Sequence, residues 1–259
     1  MNKVWLIGGT SDSAIIATVL ADSDLPLVIT VTTASAQALY NHQAEIIIGC
    51  MNLAAMVCFC QQHQIKAVVD ASHPYATEVS LQAIAITNQL NIPYLRYERI
   101  HHQPLIQENV IELNSWEHLL AGDYLTAQRV LLTVGCQALP KFQSWQSRAT
   151  LFARVLPKIS SLETAIGSGF TSDRLIAIRP PISLATETAL WQQWNISLVV
   201  TKASGKAGGE ETKRKVAASL GIPLIVITRP QIIYPRQTSV IAEVLAFCQA
   251  IAFRGLKPN

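Results

Sequence analysis

Short apolar runs alternate with helical segments along almost the whole chain of 259 residues. The runs are rich in β-branched residues, as in VWLI (4–7), LVITV (27–31) and LVV (198–200). Such runs are typical of strands that a parallel sheet buries on both faces, and parallel strands need helical crossovers between them. The pattern therefore predicts an α/β fold of two Rossmann-like doubly wound domains, with mainly parallel sheets and an interdomain cleft.

The predicted boundary between the two domains follows the strand expected at 92–97. Residues 98–104 are polar and include the adjacent histidines His101 and His102, which is typical of a surface connector. We predict an N-terminal domain at 1–103 and a C-terminal domain at 104–259. For the last helix, at about 238–254, the prediction leaves open on which of the two domains it packs.

The loop after the first strand contains Gly8, Gly9, Thr10 and Ser11. It matches only part of the GxGxxG dinucleotide fingerprint, so its spacing is a weak signal. Two glycines, two hydroxyls and a following helix nevertheless suit a phosphate. The alternative is a plain helix cap with no ligand.

A second polar loop, DASHPYA, follows the strand that ends at Asp70 and places Ser72, His73 and Tyr75 close together in sequence. We predict Pro74 in the first turn of a helix that runs to about residue 90. Ligands of open α/β sheets bind at the carboxyl ends of the strands, and a histidine there can exchange protons near neutral pH. The alternative is that His73 only caps the turn and bonds to Asp70.

The stretch LVVTKASGKAGGEETKRK (198–215) combines a buried strand, a small-residue loop and a helix start. It lacks the GxxxxGK[ST] spacing of a Walker loop, but its glycines and lysines predict an anion site, with a solvated turn as the alternative. Four cations, Lys202 and three others, lie at or just past the ends of predicted strands and would line one rim of a parallel sheet, which suits a polyanionic substrate. They are Arg154, Arg179, Lys202 and Arg229.

Several classes of protein are disfavoured by composition and motifs. The net charge of +3 is too small to indicate nucleic-acid binding by itself. Five cysteines without a CxxC pair predict free thiols and no metal site. The sequence has no signal peptide and no apolar run long enough for a membrane helix, so we expect a soluble cytoplasmic protein. No tyrosine has a lysine four residues later, which disfavours a short-chain dehydrogenase, and GxSxG and HExxH are absent.

These patterns leave three function classes open: a nicotinamide-dependent reductase, a non-redox binding or carrier protein for a polyanionic ligand, and a nucleotide-dependent transferase. The residues after the second strand, Thr32 to Ser35, include no acid to bind the ribose of NADH. No nearby arginine completes the case for a 2′-phosphate, so the choice of cofactor stays open on these residues.

Four segments together resemble the precorrin-6A reductases, including the cobalt-precorrin-6A reductases, of cobalamin biosynthesis. They are VWLIGGTSDS, DASHPYA, the turn TVG at 133–135, and TKASGKAGGEETKRKVAASLGIPLIVITRP. The resemblance implies two Rossmann-like domains and reduction of one carbon–carbon double bond in a ring-contracted tetrapyrrole, giving precorrin-6B. It also implies a reduced nicotinamide cofactor, for which we favour NADPH with NADH as the alternative.

On this resemblance we assign roles to the loop residues. Asp70 and His73 are the expected catalytic residues, and His73 or a water supplies the proton. The expected cofactor-binding residues are Gly8, Gly9, Thr10, Ser11, Ser72, Lys202, Ser204, Gly205 and Gly208. The expected substrate-binding residues are Tyr75, Arg154, Arg179, Lys206 and Arg229. We expect a monomer or weak homo-oligomer whose partner is a tetrapyrrole with many carboxylates, and neither nucleic acid nor membrane.

Overall fold

The computed structural model describes residues 2–40, 44–99, 108–205 and 208–253. The chain divides into two units, each described by itself. Unit 1 comprises Met1–Ile100 and Gln231–Asn259, and unit 2 comprises His101–Pro230.

Strands and helices alternate in both units, as the sequence pattern predicts. Unit 1 begins with β1 (Lys3–Ile7), α1 (Ser11–Ala21), β2 (Leu27–Val31), α2 (Ala34–Gln37), β3 (Glu45–Ile48), α3 (Leu53–Gln62), β4 (Ile65–Asp70), α4 (Thr77–Leu90) and β5 (Tyr94–Tyr97). Unit 2 contains β6 (Val110–Leu113), α5 (Trp116–Ala121), β7 (Arg129–Thr133), a 3₁₀ helix (Cys136–Trp145), β8 (Thr150–Val155), α6 (Ile159–Gly167), β9 (Leu175–Ala177), α7 (Leu184–Gln193), β10 (Leu198–Lys202), α8 (Glu210–Leu220) and β11 (Leu224–Ile227). The chain then returns to unit 1 with β12 (Gln237–Thr238) and α9 (Ile241–Phe253).

Each unit has one six-stranded sheet whose described strand pairs are all parallel. The order is β12-β5-β4-β1-β2-β3 in unit 1 and β6-β11-β10-β7-β8-β9 in unit 2. Unit 1 has the Rossmann order, in which the direction of winding reverses next to the first strand of the motif. In unit 2, strands β7 to β11 follow the same order, and β6, which comes first in the chain, takes the outer position beside β11. The reversal lies between β1 and β4 in unit 1, and between β7 and β10 in unit 2. The predicted fold class is confirmed.

Apolar side chains cover both faces of each sheet. Along β1, Val4 and Leu6 belong to one core cluster, whereas Trp5 and Ile7 belong to the cluster on the other face. This alternation arises because successive side chains of a strand point to opposite faces. Burial on both faces explains why the strands are continuous apolar runs in the sequence.

The C-terminal segment joins unit 1. Strand β12 pairs with β5, Gln237 lying opposite Arg96, and α9 contributes Val244 and Phe247 to the core of unit 1. The last helix thus takes one of the two packings left open for it, and the chain before it, from 231, also lies in unit 1. The predicted boundary at 103 lies outside the described residues.

One local prediction was wrong. Helix α4 begins at Thr77, and Pro74 lies in the preceding turn, which the Ala76 N–H closes on the His73 carbonyl at 2.7 Å. The helix after β7 is a 3₁₀ helix, and it contains Pro140, which cannot donate a backbone hydrogen bond. No described helix has both the length and the apolar character needed to cross a membrane.

Candidate functional site

The loop after β1 is drawn tightly against Tyr40. A Cβ added to Gly8 would lie 2.2 Å from the Tyr40 hydroxyl oxygen. That hydroxyl accepts the Gly9 N–H at 2.7 Å and lies 2.6 Å from the Ser13 Oγ. Gly9 has a φ of 104°, a left-handed value that favours glycine. Both glycines are therefore needed to bring the backbone past Tyr40 into the start of α1.

Thr10 caps α1 and ties the two unit 1 loops together. Its Oγ1 accepts the Ser13 N–H at 3.1 Å, and the Ser13 Oγ accepts the Thr10 N–H at 3.0 Å. The Thr10 Oγ1 also lies 3.0 Å from the Ala71 carbonyl, in the loop after β4. Within the described part of the chain, no acceptor takes the N–H groups of Ser11 and Asp12. The first turn of α1 therefore combines a helix cap with two N–H groups suited to an anion.

Arg99 adds a cation that the sequence analysis missed. Its Nε donates to both carboxylate oxygens of Asp12, at 2.6 and 2.7 Å, and its Nη2 lies 3.5 Å from the Ser11 Oγ. The side chain is half exposed. Arg99 lies in the polar connector after β5, where the sequence offers no signal that it meets a helix 87 residues earlier.

Asp70, at the end of β4, is fully buried and surrounded by donors. Its carboxylate accepts hydrogen bonds from the Ser72 N–H at 3.0 Å, the Arg96 Nη1 at 2.9 Å, the Ser80 Oγ at 2.6 Å and the Tyr94 hydroxyl at 2.7 Å. Burial, together with the Asp70 carboxylate, raises the pKa of Tyr94 far above its ordinary value, so this hydroxyl stays protonated and donates. Asp70 is thus a buried carboxylate with four hydrogen bonds, and these bonds fix the start of the loop after β4.

Arg96 on β5 is the cation of this network, and it too was missed. It is fully buried. Its Nη1 also reaches the Ser72 Oγ at 3.1 Å, and its Nη2 donates to the Glu98 carboxylate at 3.1 Å. The Tyr234 ring, from the returning C-terminal segment, lies 5.2 Å from the guanidinium carbon. Ser72, predicted to bind the cofactor, is buried within this network.

His73 and Tyr75 form the outer part of the same loop. His73 is exposed, and its Nδ1 accepts the Tyr75 N–H at 3.3 Å. The two rings lie 5.8 Å apart. Because Nδ1 acts as an acceptor, the proton of the neutral ring lies on Nε2. The contact leaves Nε2 as the nitrogen that carries a proton in both the neutral ring and the imidazolium, and the imidazolium is the form that donates a proton.

The equivalent strand end in unit 2 carries Lys202. A Cβ on Gly135, in the loop after β7, would lie 3.8 Å from the Lys202 Nζ. Burial lowers the pKa of Lys202 below its ordinary value. The structure thus brings Lys202 to the reversal point of the unit 2 sheet, beside a glycine with a φ of 80°.

The β10–α8 loop, described here as residues 203–205 and 208–209, is bonded internally. The Gly205 N–H donates to the Glu210 Oε2 at 2.8 Å, and the Glu210 N–H donates to the Gly205 carbonyl at 3.1 Å. The Ser204 and Gly208 N–H groups donate to the carbonyls of Lys202 and Gly205. These four N–H groups therefore already have acceptors within the loop and the start of α8. Lys206 lies outside the described residues.

Three charged residues near the start of α8 are buried. Glu210 and Lys213 are 2% exposed and Arg214 is 5% exposed. The Arg214 Nε donates to the Glu210 Oε1 at 3.0 Å, and its Nη2 donates to the Glu112 Oε1 at 2.9 Å. The interpretation of this helix start as a solvated face is therefore wrong for these three side chains.

The predicted rim cations differ in their surroundings. Strands β8 to β11 are parallel, so Arg154, Arg179 and Arg229 lie toward one edge of the sheet. Arg154 is nearly buried and pairs with Glu187 of α7. Arg179 is exposed, and the Arg229 Nε donates to the Ala203 carbonyl at 3.1 Å. Arg154 is thus engaged within unit 2, and its substrate role stays a prediction. No group of three His, Cys, Asp or Glu among the described residues is placed to hold a metal ion.

Two sheets of Rossmann order, each with polar loops at its reversal point, define an α/β protein of the nucleotide-binding type. The profile of the family "Precorrin-6x reductase CbiJ/CobK" matches residues 3–249. The chain belongs to this precorrin-6x reductase family, which confirms the resemblance found in the sequence.

Relatives match over nearly the whole length of the chain. The chain is 45% identical over 252 residues to a protein of Synechocystis sp. named "Cobalt-precorrin-6A reductase", covering 95% of each chain. It is 32% identical to the protein of that name from Priestia megaterium, covering 93% of this chain and 96% of the relative. A solved structure titled "CobK precorrin-6A reductase" has a TM-score of 0.77 at 23% identity, covering 99% of this chain and 100% of that chain. The fold is shared with that structure.

Proposed function

We propose that this protein uses a reduced nicotinamide cofactor to reduce one carbon–carbon double bond of precorrin-6A, or of its cobalt form, giving precorrin-6B in cobalamin biosynthesis. The observation that carries the proposal is the family match over residues 3–249. The Rossmann strand order of both sheets supports it, since that order suits a dinucleotide cofactor.

The cofactor phosphates bind at the first turn of α1 in this proposal. Gly8 and Gly9 let the backbone approach, Thr10 and Ser11 offer hydroxyls, and the helix dipole favours negative charge. Arg99, held by Asp12 beside Ser11, supplies a full positive charge to the same place.

NADPH is the proposed cofactor. After β2, Thr33 caps α2 by accepting the Ala36 N–H at 3.2 Å, and its Oγ1 lies 3.0 Å from the Ser35 Oγ. A carboxylate at this position would bond to the ribose of NADH and repel a 2′-phosphate. Hydroxyl groups leave room for the phosphate without repulsion.

The reaction needs a hydride, which the bound nicotinamide supplies, and a proton, which the protein delivers. Asp70 is buried and fully bonded, so its role is to fix Ser72 and the loop that carries His73. His73 is exposed at the outer part of this loop, so we assign its imidazolium form the proton transfer to the ring carbon beside the one that receives the hydride. Both residues thus keep their predicted place in catalysis, one by positioning and one by direct contact.

The substrate's carboxylates meet Tyr75, the cations of unit 2 and its reversal-point loop. Arg179 and Arg229 lie toward the carboxyl edge of that sheet, with Lys202 at its reversal point, and Lys206 and Arg154 are proposed to join them. We also propose that the cofactor contacts Lys202, Ser204, Gly205 and Gly208. Binding of NADPH and binding of the tetrapyrrole should therefore both be measured for this loop. The five free cysteines fit the reducing cytoplasm, where we place the reaction.

The test is anaerobic incubation of the protein with precorrin-6A or cobalt-precorrin-6A and either NADPH or NADH, following loss of the reduced nicotinamide. We expect oxidation of NADPH only when a tetrapyrrole is present, with formation of one reduced ring product. Binding of the tetrapyrrole with no oxidation of either nicotinamide would instead identify a carrier and overturn the proposal.

A further inference from the structure

Two buried charged side chains from the first turn of α8 hold the β10–α8 loop from within unit 2. Glu210 accepts the Gly205 N–H at 2.8 Å, at the first part of the loop. The Lys213 Nζ donates to the Gly208 carbonyl at 2.8 Å, at its last part. The two residues are three apart on the helix and therefore share one face. Backbone groups on both sides of the loop are thus bound by side chains that solvent does not reach.

The Ser204 hydroxyl rests on the part of the loop that Lys213 holds. A Cβ added to Gly208 would lie 2.0 Å from the Ser204 Oγ. The hydroxyl is therefore seated against the Gly208 backbone, whose carbonyl oxygen bonds to Lys213. A continuous line of contacts joins the Lys213 ammonium to a hydroxyl that the sequence analysis assigned to ligand binding.

A positive charge on Lys213 is energetically unfavourable at this buried position. Burial, together with the Arg154 guanidinium, lowers the pKa of Lys213 to about 8. The positive end of the α8 dipole also disfavours a cation in the first turn. The other charged groups around it are Glu210 and Arg214 on α8, Glu187 on α7, and Arg154 on β8.

Among the charged groups around Lys213, Glu187 has only one of its two carboxylate oxygens bonded. Its Oε2 pairs with Arg154, whereas its buried Oε1 has no hydrogen-bond partner within the described residues. An apolar side chain as long as lysine would fill the position of Lys213 without placing a charge in this interior. A costly arrangement of this kind is expected where function, rather than stability, requires the residue.

We infer that Glu210 and Lys213 are positioning residues that hold the β10–α8 loop, and with it the Ser204 hydroxyl, in the shape that binds ligand. This inference rests on the proposed function, in which this loop contacts the cofactor or the tetrapyrrole. Neither side chain touches ligand, because both are buried. Their effect reaches the reaction through Gly205 and Gly208.

The test compares Lys213→Met and Glu210→Gln with matched controls on the same helix, Lys215→Met and Glu211→Gln. The control residues form an exposed ion pair, 2.6 Å between Nζ and Oε1. We expect kcat/KM for NADPH-dependent reduction of precorrin-6A to fall about 10- to 100-fold in Lys213→Met and Glu210→Gln, because a displaced loop misaligns its ligand. The melting temperature of Lys213→Met at pH 7 is expected to equal or exceed that of the wild type. Both controls should keep wild-type activity.

Hydrogen exchange provides a readout that does not depend on the reaction. The Gly205 and Gly208 amides should exchange faster in Lys213→Met and Glu210→Gln than in the wild type, while amides of the unit 1 sheet are unchanged. Wild-type exchange in both variants would overturn the inference, as would wild-type kcat/KM or an activity loss that only follows a lower melting temperature. Failure of the wild type to oxidise NADPH with either tetrapyrrole would instead refute the proposed function.

Discussion

The two units share one strand order and place opposite charges at equivalent positions. Strand β4 lies across the reversal point from β1, and strand β10 lies across it from β7. Strand β4 ends at Asp70, whereas β10 ends at Lys202. The Asp70 carboxylate accepts hydrogen bonds from Arg96 and three further donors, whereas burial lowers the pKa of Lys202. Topology thus decides where a site forms, and the residue at the strand end decides which charge it offers.

The loops on the other side of the reversal differ as well. In unit 1, Thr10 caps an α-helix, so the positive end of a helix dipole lies at the reversal point. In unit 2, Gly135 precedes a 3₁₀ helix that contains Pro140 and has no side-chain cap. This difference assigns the cofactor phosphates to unit 1 in our proposal and leaves unit 2 to recognise anions mainly through side-chain cations.

The largest effect is expected from removing His73, which tests whether a residue of unit 1 transfers the proton. His73→Ala should lower turnover of precorrin-6A by about 10²–10⁴-fold, the range of general-acid contributions, with little change in stability because His73 is exposed. Steady-state kinetics with NADPH measure this. His118→Ala, an exposed histidine of unit 2, is the control and should keep wild-type turnover. A wild-type rate in His73→Ala would remove His73 from proton transfer.

The charge difference between the two strand ends is tested by Asp70→Asn and Lys202→Met. Asp70→Asn removes the buried carboxylate from the Arg96 guanidinium and leaves it only the partly buried Glu98, so the free energy of unfolding should fall by about 3–5 kcal/mol. Lys202→Met should change it much less, since burial already disfavours the charge there. Denaturant unfolding measures both, with the exposed Asp22→Asn as control. Equal losses in the two variants would contradict the contrast.

A pH dependence should distinguish unit 2. Because the pKa of Lys213 is lowered to about 8 in the folded protein from an ordinary 10.5, the unfolded chain holds more protons between these values. The free energy of unfolding should therefore rise between pH 8 and pH 10.5, by up to about 3 kcal/mol, and this group should contribute no further change below pH 8. Urea titrations across this range should show the rise in Lys215→Met but not in Lys213→Met. The same slope in both would show that another group titrates.

The fit of the β1 loop against Tyr40 is tested by Gly8→Ala. The added methyl group would overlap the Tyr40 hydroxyl, so we expect a loss of about 1–3 kcal/mol in unfolding free energy and weaker NADPH binding. Fluorescence titration with NADPH measures the binding. Gly167→Ala is the control, because its Cβ site has no heavy atom within 4 Å. Unchanged affinity in Gly8→Ala would argue against this loop as the phosphate site.

The smallest effect concerns Arg99. Arg99→Gln removes a half-exposed ion pair, so stability should change by less than about 1 kcal/mol. The Kd for NADPH should rise about 2–5-fold at low salt, and the difference from the wild type should shrink as salt screens the charge. Titrations at two ionic strengths measure this. A difference that salt does not alter would show that Arg99 acts through packing.

Local patterns in the sequence determined much of this protein. The bounds of β2 agree with the apolar run at 27–31, because a strand buried on both faces is continuously apolar. The strand-end loops and the family followed from local motifs as well. Strand β6 was not predicted, because Glu112 interrupts its short apolar run and periodicity gives no signal there.

Only the tertiary structure decided which charges meet and which sheet the end of the chain joins. Arg96 reaches Asp70 from 26 residues away, and Arg99 reaches Asp12 from 87 residues away. Strand β12 completes the sheet of unit 1 after unit 2 has intervened. Periodicity reports which face of an element is apolar, but the order of strands sets which elements become neighbours. For that reason the sequence placed Asp70, His73 and Lys202 at strand ends, whereas the buried roles of Arg96, Glu210 and Lys213 emerged only from the folded chain.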